Sequence, residues 1–204
     1  MEWRERYERA AARYAGGETR EPDERQLVQL ANAAWAAGLS LLMDGDGEGA
    51  REWLVRSAER YRESWDSGAP TDAWGRPIAM MKALLIAGEA RACNNLLLAA
   101  LLTLDAGAAE AESTIGRYAA TLALLVLDRD DEAAALASGL GDGFPAAVAA
   151  GLAALATRDA SAFGTAAAAI RQDFESRDDF LEDLPVPDTA LALEALATRR
   201  TLPV

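Results

Sequence analysis

The chain has 204 residues, with 33 acidic against 20 basic side chains for a net charge of −13, and it contains no histidine. A surface of this sign repels duplex nucleic acid and anionic membranes, so we expect neither as a partner. Without histidine the chain lacks the usual general base and the commonest zinc ligand, and its single cysteine, Cys93, excludes an intramolecular disulfide or a thiolate cluster. We therefore expect a non-enzymatic protein that holds no cofactor and no metal.

Alanine supplies 48 of the 204 residues and β-branched residues are scarce, a composition that favours helix almost everywhere. The length predicts one domain, residues 1–204. Because Lys82 is the only lysine in this acidic chain, the composition is typical of halophilic proteins, and the alternative is an ordinary acidic protein. The charged start, MEWRERYERAAARY, has no apolar signal core, so we expect a cytoplasmic protein.

The first predicted helix covers residues 2–15 and carries Trp3, Tyr7 and Tyr14 on the face that should contact the next helix. The next helix spans about 24–43, and the acidic glycine turn DGDGEG separates it from a third that ends near Asp66. These two form the clearest helical hairpin of the chain. Its small residues Gly38 and Ala50 mark where the two backbones should approach closely.

Residues 72–105 are compatible with one long helix or with a second hairpin that breaks at Gly88-Glu89. We favour the hairpin because it repeats the first. The later predicted helices cover 109–127, 131–140, a pair after Pro145 that turns at Arg158-Asp159, and 187–200.

Four turn positions recur at loose intervals: Gly45, Gly88, Asp128 and Arg158. Each is followed five residues later by a first packing residue, namely Ala50, Cys93, Ala133 and Phe163. A second packing residue follows four positions further on, namely Leu54, Leu97, Ala137 and Ala167. This spacing predicts degenerate helix-hairpin repeats over residues 24–175.

The residues Gly38, Leu41, Gly45, Asp46, Ala50 and Leu54 stand at the spacing of the tetratricopeptide signature. The chain therefore resembles tetratricopeptide repeats, although the terminal proline of that signature is absent at Arg62 and Asp105. The resemblance implies an all-α, superhelical array of antiparallel helix hairpins, with about nine helices and a concave groove that binds a protein or peptide.

The last sixty residues, with GLAALATRDASAF and the terminal DTALALEALATRR, also resemble immunity family forty-nine of polymorphic-toxin systems. This second resemblance implies a small helical protein that neutralises a toxin by binding it.

Aromatic residues recur along the third helix and its neighbours, where they either fill the core or anchor a partner. Trp65 and Trp74 flank a Gly-Pro loop, where an exposed ring would anchor a partner. The candidate partner-binding residues are Trp53, Tyr61, Trp65, Trp74, Asn94 and Asn95.

Two clusters of acidic residues have alternative interpretations. Asp44 to Gly49 matches the first half of a calcium loop, but Val55 occupies the position of the bidentate glutamate, which favours a structural turn. The acidic run from Glu175 to Asp183 is typical of a solvated surface, and the alternative is a carboxylate-dependent metal hydrolase.

A third alternative for the function of the chain is a structural homodimer that uses the aromatic helix pair as its contact.

Overall fold

The computed structural model describes residues 2–18, 21–88, 90–141 and 143–202, with side chains for all of these except residues 90–92. Within these ranges the chain forms ten α-helices and no strand, which confirms the all-α prediction. The helices are α1 (Trp3–Gly17), α2 (Glu24–Asp44), α3 (Gly47–Asp66), α4 (Gly75–Ala87), α5 (Ala90–Asp105), α6 (Thr114–Val126), α7 (Asp130–Ala137), α8 (Ala146–Ala156), α9 (Ala160–Glu175) and α10 (Asp188–Arg199).

Contacts between residues divide the chain into two compact units. Unit 1 comprises residues 1–93 and 179–186, and unit 2 comprises residues 94–178 and 187–204. The organisation as one domain stays a prediction.

In unit 1 the first four helices pack in order, α1 on α2, α2 on α3 and α3 on α4. The hairpin of α2 and α3 confirms the sequence interpretation: Gly45 adopts a left-handed conformation (φ +89°), and the Asp46 carboxylate accepts the backbone N–H of Gly49. A methyl group on Gly38 would lie 3.1 Å from the carbonyl oxygen of Ala50. The predicted close approach of the two backbones is therefore present.

In unit 2 the helices α6 to α9 also pack successively, and α10 lies against α8 and α9. Arg200, which follows α10, has only 1% of its side chain exposed. Its Nη1 donates to the carbonyl of Leu125 (2.6 Å) and to Asp128 (3.0 Å), and its Nη2 donates to Asp130. This one guanidinium thus ties the C-terminal end of α10 to the turn between α6 and α7.

Three of the predicted turn positions share one backbone geometry. Gly45, Asp128 and Arg158 all have positive φ, and in each case the next residue donates its N–H to the carbonyl five positions earlier at 2.9 Å. This is the Schellman arrangement that ends many helices. The predicted first packing residue after each of these turns, Ala50, Ala133 and Phe163 respectively, is at most 1% exposed.

The prediction of one helix over 109–127 is wrong at its start, because α6 begins at Thr114. The Ser113 hydroxyl accepts the N–H of Gly116 and caps the helix there. Residues 72–105 form two helices separated at Gly88 (φ +70°), which excludes the single long helix. Glu89 lies outside the described residues, and the antiparallel packing of α4 and α5 stays a prediction.

Candidate protein-binding surface

A cleft of about 510 Å³ lies between α1 and α3 in unit 1. Its lining residues are Ala11, Tyr14, Ala15, Glu18, Trp53, Arg56, Glu59, Arg60 and Glu63. Trp53, Arg56 and Arg60 share one face of α3 because they stand three and four residues apart. We call this feature the α1–α3 cleft.

The apolar wall of the α1–α3 cleft is built from aromatic rings that meet edge to face. The Tyr14 ring centre lies 5.3 Å from that of Trp53 at an interplanar angle of 86°, and Tyr7 contacts the same indole at 6.1 Å and 76°. Such pairs contribute about 0.5–1.5 kcal/mol beyond the area that they bury. The aromatic face of α1, which is predicted to lie on the next helix, reaches α3 as well: Tyr14 clusters with Leu30 of α2 and contacts Trp53 of α3.

Arg60 is fixed at the edge of the cleft by three hydrogen bonds. Its Nε donates to the hydroxyl of Tyr14 (2.9 Å), and its two terminal nitrogens donate to Glu63 (2.7 Å) and Glu18 (3.3 Å). Burial lowers the pKa of Arg60, but the bonds with Glu63 and Tyr14 outweigh that effect and raise it overall. Arg60 is thus an anchored positive charge, and each of its three nitrogens already donates one hydrogen bond.

Arg56 is exposed and differs from Arg60 in its partners. Its Cζ lies 4.5 Å from the centre of the Trp53 ring and 5.5 Å from that of Tyr14. Among the described residues, no carboxylate lies within ion-pair distance of Arg56. The cation–π contact orients the guanidinium and leaves its N–H donors for a ligand.

The other predicted aromatic residues are largely buried. Tyr61 is 5% exposed and its hydroxyl donates to Asn32. Trp74 is 6% exposed, and its ring centre lies 5.7 Å from that of the half-buried Trp65. The expected exposure of Trp74 is therefore not found, because its ring packs on Trp65 beside the Gly-Pro loop. The role of these three residues in partner binding stays a prediction.

Asn94 and Asn95 are exposed on α5. They belong to unit 2, whereas the four predicted aromatic residues belong to unit 1.

The acidic glycine turn has structural roles in this fold. Asp44 pairs with Arg4 at 2.8 Å, and Asp46 caps α3. In the part of the chain that the structure describes, there is no group of three or more His, Cys, Asp or Glu side chains placed to hold a metal ion. The described helices also include none that is both long and apolar enough to cross a membrane.

Comparison with protein-family models, curated proteins and solved structures finds no match.

Sequence reasoning identified Trp53 but missed Tyr14, Arg56 and Arg60 as parts of the same cleft. The local signal for the two arginines was their spacing after Trp53 on one helix face. Tyr14 carries no local signal for its contact with Arg60, since 46 residues separate them.

Proposed function

We propose that the chain is a non-enzymatic module that binds a protein or peptide, and that the α1–α3 cleft is its contact site. The observation that carries the proposal is the exposed Arg56 stacked on Trp53. Tryptophan, tyrosine and arginine are the residues most enriched among those that dominate binding energy in protein interfaces. Here all three meet in one cleft.

The geometry of the cleft favours binding because its side chains are held in place before a partner arrives. The edge-to-face rings hold Trp53, and the anchored Arg60 holds Tyr14. Ordering rotamer-rich side chains during association costs about 0.5–1.5 kcal/mol for each one. A cleft whose aromatic wall is already ordered avoids most of that cost.

The net charge of −13 favours a basic protein over a nucleic acid or a membrane surface as the partner. This charge also agrees with the specific case of a toxin-neutralising immunity protein, in which an acidic inhibitor would associate rapidly with a basic toxin. Co-expression with the product of an adjacent gene tests this case: restored growth of a host that the product alone kills is the expected result.

The tetratricopeptide-like superhelix is the fold that we propose for this module. It is supported by the recurrence of one turn geometry at Gly45, Asp128 and Arg158 and by the successive packing of neighbouring helices in each unit.

The direct experiment compares Arg56→Ala with Arg62→Ala, an exchange on the same helix at an arginine that pairs with Asp66. The wild type is immobilised in multimolar potassium chloride and used to capture proteins from the source cells. A captured protein is then purified, and its affinity for the wild type and for each variant is measured. We expect Arg56→Ala to lower that affinity at least tenfold and Arg62→Ala to leave it within about twofold. Equal affinity for the wild type and Arg56→Ala would refute the assignment of the cleft.

A further inference from the structure

The part of α5 in unit 2 has one exposed face, and the two residues at the centre of that face are leucines. The exposed residues Asn94, Leu98, Leu101 and Asp105 follow one another at intervals of four, three and four, which places them in one line along the helix. Leu98 is 45% exposed and Leu101 is 54% exposed. The opposite face, with Leu96, Ala99, Ala100 and Thr103, is buried. We call the exposed line the α5 stripe.

The stretch around the α5 stripe carries no charge. Residues 93–104, CNNLLLAALLTL, contain no acidic or basic side chain, whereas 26% of the whole chain is charged. A basic partner gains nothing electrostatic from such a stretch. A second copy of this chain, which carries the same net charge of −13, meets no like charge on residues 93–104.

The order of residues along the stripe is also self-complementary. Read in either direction it is polar, leucine, leucine, polar. If two stripes cross antiparallel with their centres together, Leu98 of each copy faces Leu101 of the other. At both ends an Asn94 carboxamide then meets an Asp105 carboxylate, so that a donor faces an acceptor and the two Asp105 carboxylates lie about 16 Å apart along the helices.

We propose that the α5 stripe is a homodimer contact, in which α5 of one copy packs antiparallel on α5 of a second copy. A contact of about three helical turns is smaller than a standard interface, so we expect a weak dimer. The α5 stripe shares no residue with the α1–α3 cleft, so this proposal is independent of the proposed binding site. Arg56→Ala should therefore leave the dimer unchanged.

Sedimentation equilibrium of the full chain over a range of protein concentrations tests the contact. The wild type should pass from monomer to dimer, and Leu101→Asp should raise the dissociation constant at least tenfold. The matched control is Leu181→Asp, since Leu181 is also 54% exposed but lies in unit 1. A wild type that stays monomeric at every concentration, or a dimer that both variants weaken equally, would overturn the proposal.

The antiparallel register has its own test at the polar ends. Asn94→Asp places two carboxylates together at each end and should weaken the dimer about fivefold to tenfold, with a smaller effect at higher salt. Adding Asp105→Asn restores a donor opposite an acceptor, so the double variant should dimerise like the wild type. Both residues are exposed, and circular dichroism checks that each variant keeps its helices. Failure of the second substitution to rescue the first would refute the antiparallel register. Asp105→Asn alone separates this register from a parallel one: it removes the acceptor opposite Asn94 and should weaken an antiparallel dimer, whereas a parallel pair would set the two Asp105 carboxylates together and would be tightened. Tightening by Asp105→Asn would therefore also refute the antiparallel register.

Discussion

A single methyl group at Gly38 tests how closely α2 and α3 pack in unit 1. A Cβ atom built on Gly38 would lie 2.8 Å from Cγ of Leu54 and 3.1 Å from the backbone oxygen of Ala50. Leu54 is 1% exposed, so its side chain cannot swing out into solvent. The oxygen of Ala50 moves only if α3 itself shifts.

Two opposing effects set the size of the change in Gly38→Ala. Alanine is favoured over glycine in a helix interior by about 1 kcal/mol. Overpacking a well-filled site costs about 1–3 kcal/mol, and here the upper part of that range applies because one obstacle is backbone and the other is a buried branch point. We therefore expect the free energy of unfolding to fall by about 2 kcal/mol.

The same substitution at Gly164 in α9 serves as the matched control. Nothing lies within 4 Å of a Cβ built there, so only the helix-propensity gain of up to about 1 kcal/mol applies. When urea unfolding is followed by far-ultraviolet circular dichroism, the urea concentration at the midpoint should be lower than that of the wild type for Gly38→Ala and higher for Gly164→Ala. Equal or higher stability of Gly38→Ala would refute the close approach of the two helices.

Four further predictions concern helix ends, the ion-pair network of unit 2 and salt. Arg200→Met should lower the free energy of unfolding by about 3 kcal/mol in urea titrations, because it removes the buried guanidinium that donates to the Leu125 carbonyl and to Asp130. Arg199→Ala at the exposed neighbouring position should change that free energy by about 0.5 kcal/mol or less. Burial raises the pKa of Asp130, but the bonds from Arg200 and Arg158 outweigh it and lower the pKa below 3.8. The stability that Asp130 contributes is therefore complete above its pKa in the unfolded chain, and it is lost as the pH falls through its lower pKa in the folded chain. Between about pH 5 and pH 2, the urea midpoint should therefore decline more steeply for the wild type than for Arg200→Met. Asp46→Ala removes the cap of α3 and should cost about 1 kcal/mol in the same titrations, and an unchanged midpoint would show that the cap contributes nothing. If the chain is halophilic, its circular dichroism should lose helicity on dilution from multimolar potassium chloride, and full helicity in dilute buffer would contradict that interpretation.

Much of the helical pattern was predictable because helix ends are decided by neighbours in sequence. Gly45 and Asp46 end one helix and start the next through backbone geometry and a carboxylate only three residues from its donor. The error at the start of α6 has a local cause too. The alanines and glutamates before Ser113 favour helix, but the Ser113 hydroxyl competes successfully for the first free N–H groups.

The candidate cleft was predictable only in part. Trp53 stood out by residue type, but its partners Tyr7 and Tyr14 come from another helix, and Arg60 depends on a hydroxyl 46 residues away. The helix predicted over 187–200 ends at Arg200, where a positive charge interacts favourably with the negative end of the helix dipole. Its burial against Asp130, 70 residues away, required the fold.

The sequence alone therefore determined the all-α class, the main turns and the small residues between α2 and α3, because these depend on propensity, capping and periodicity within a few residues. Tertiary structure decided which faces are covered. Helix α5 is apolar on nearly every side, so no periodicity could tell that Leu96 is buried while Leu98 and Leu101 are exposed. That choice depends on which surfaces the rest of the chain brings against the helix, and such contacts between distant residues leave no local trace in the sequence.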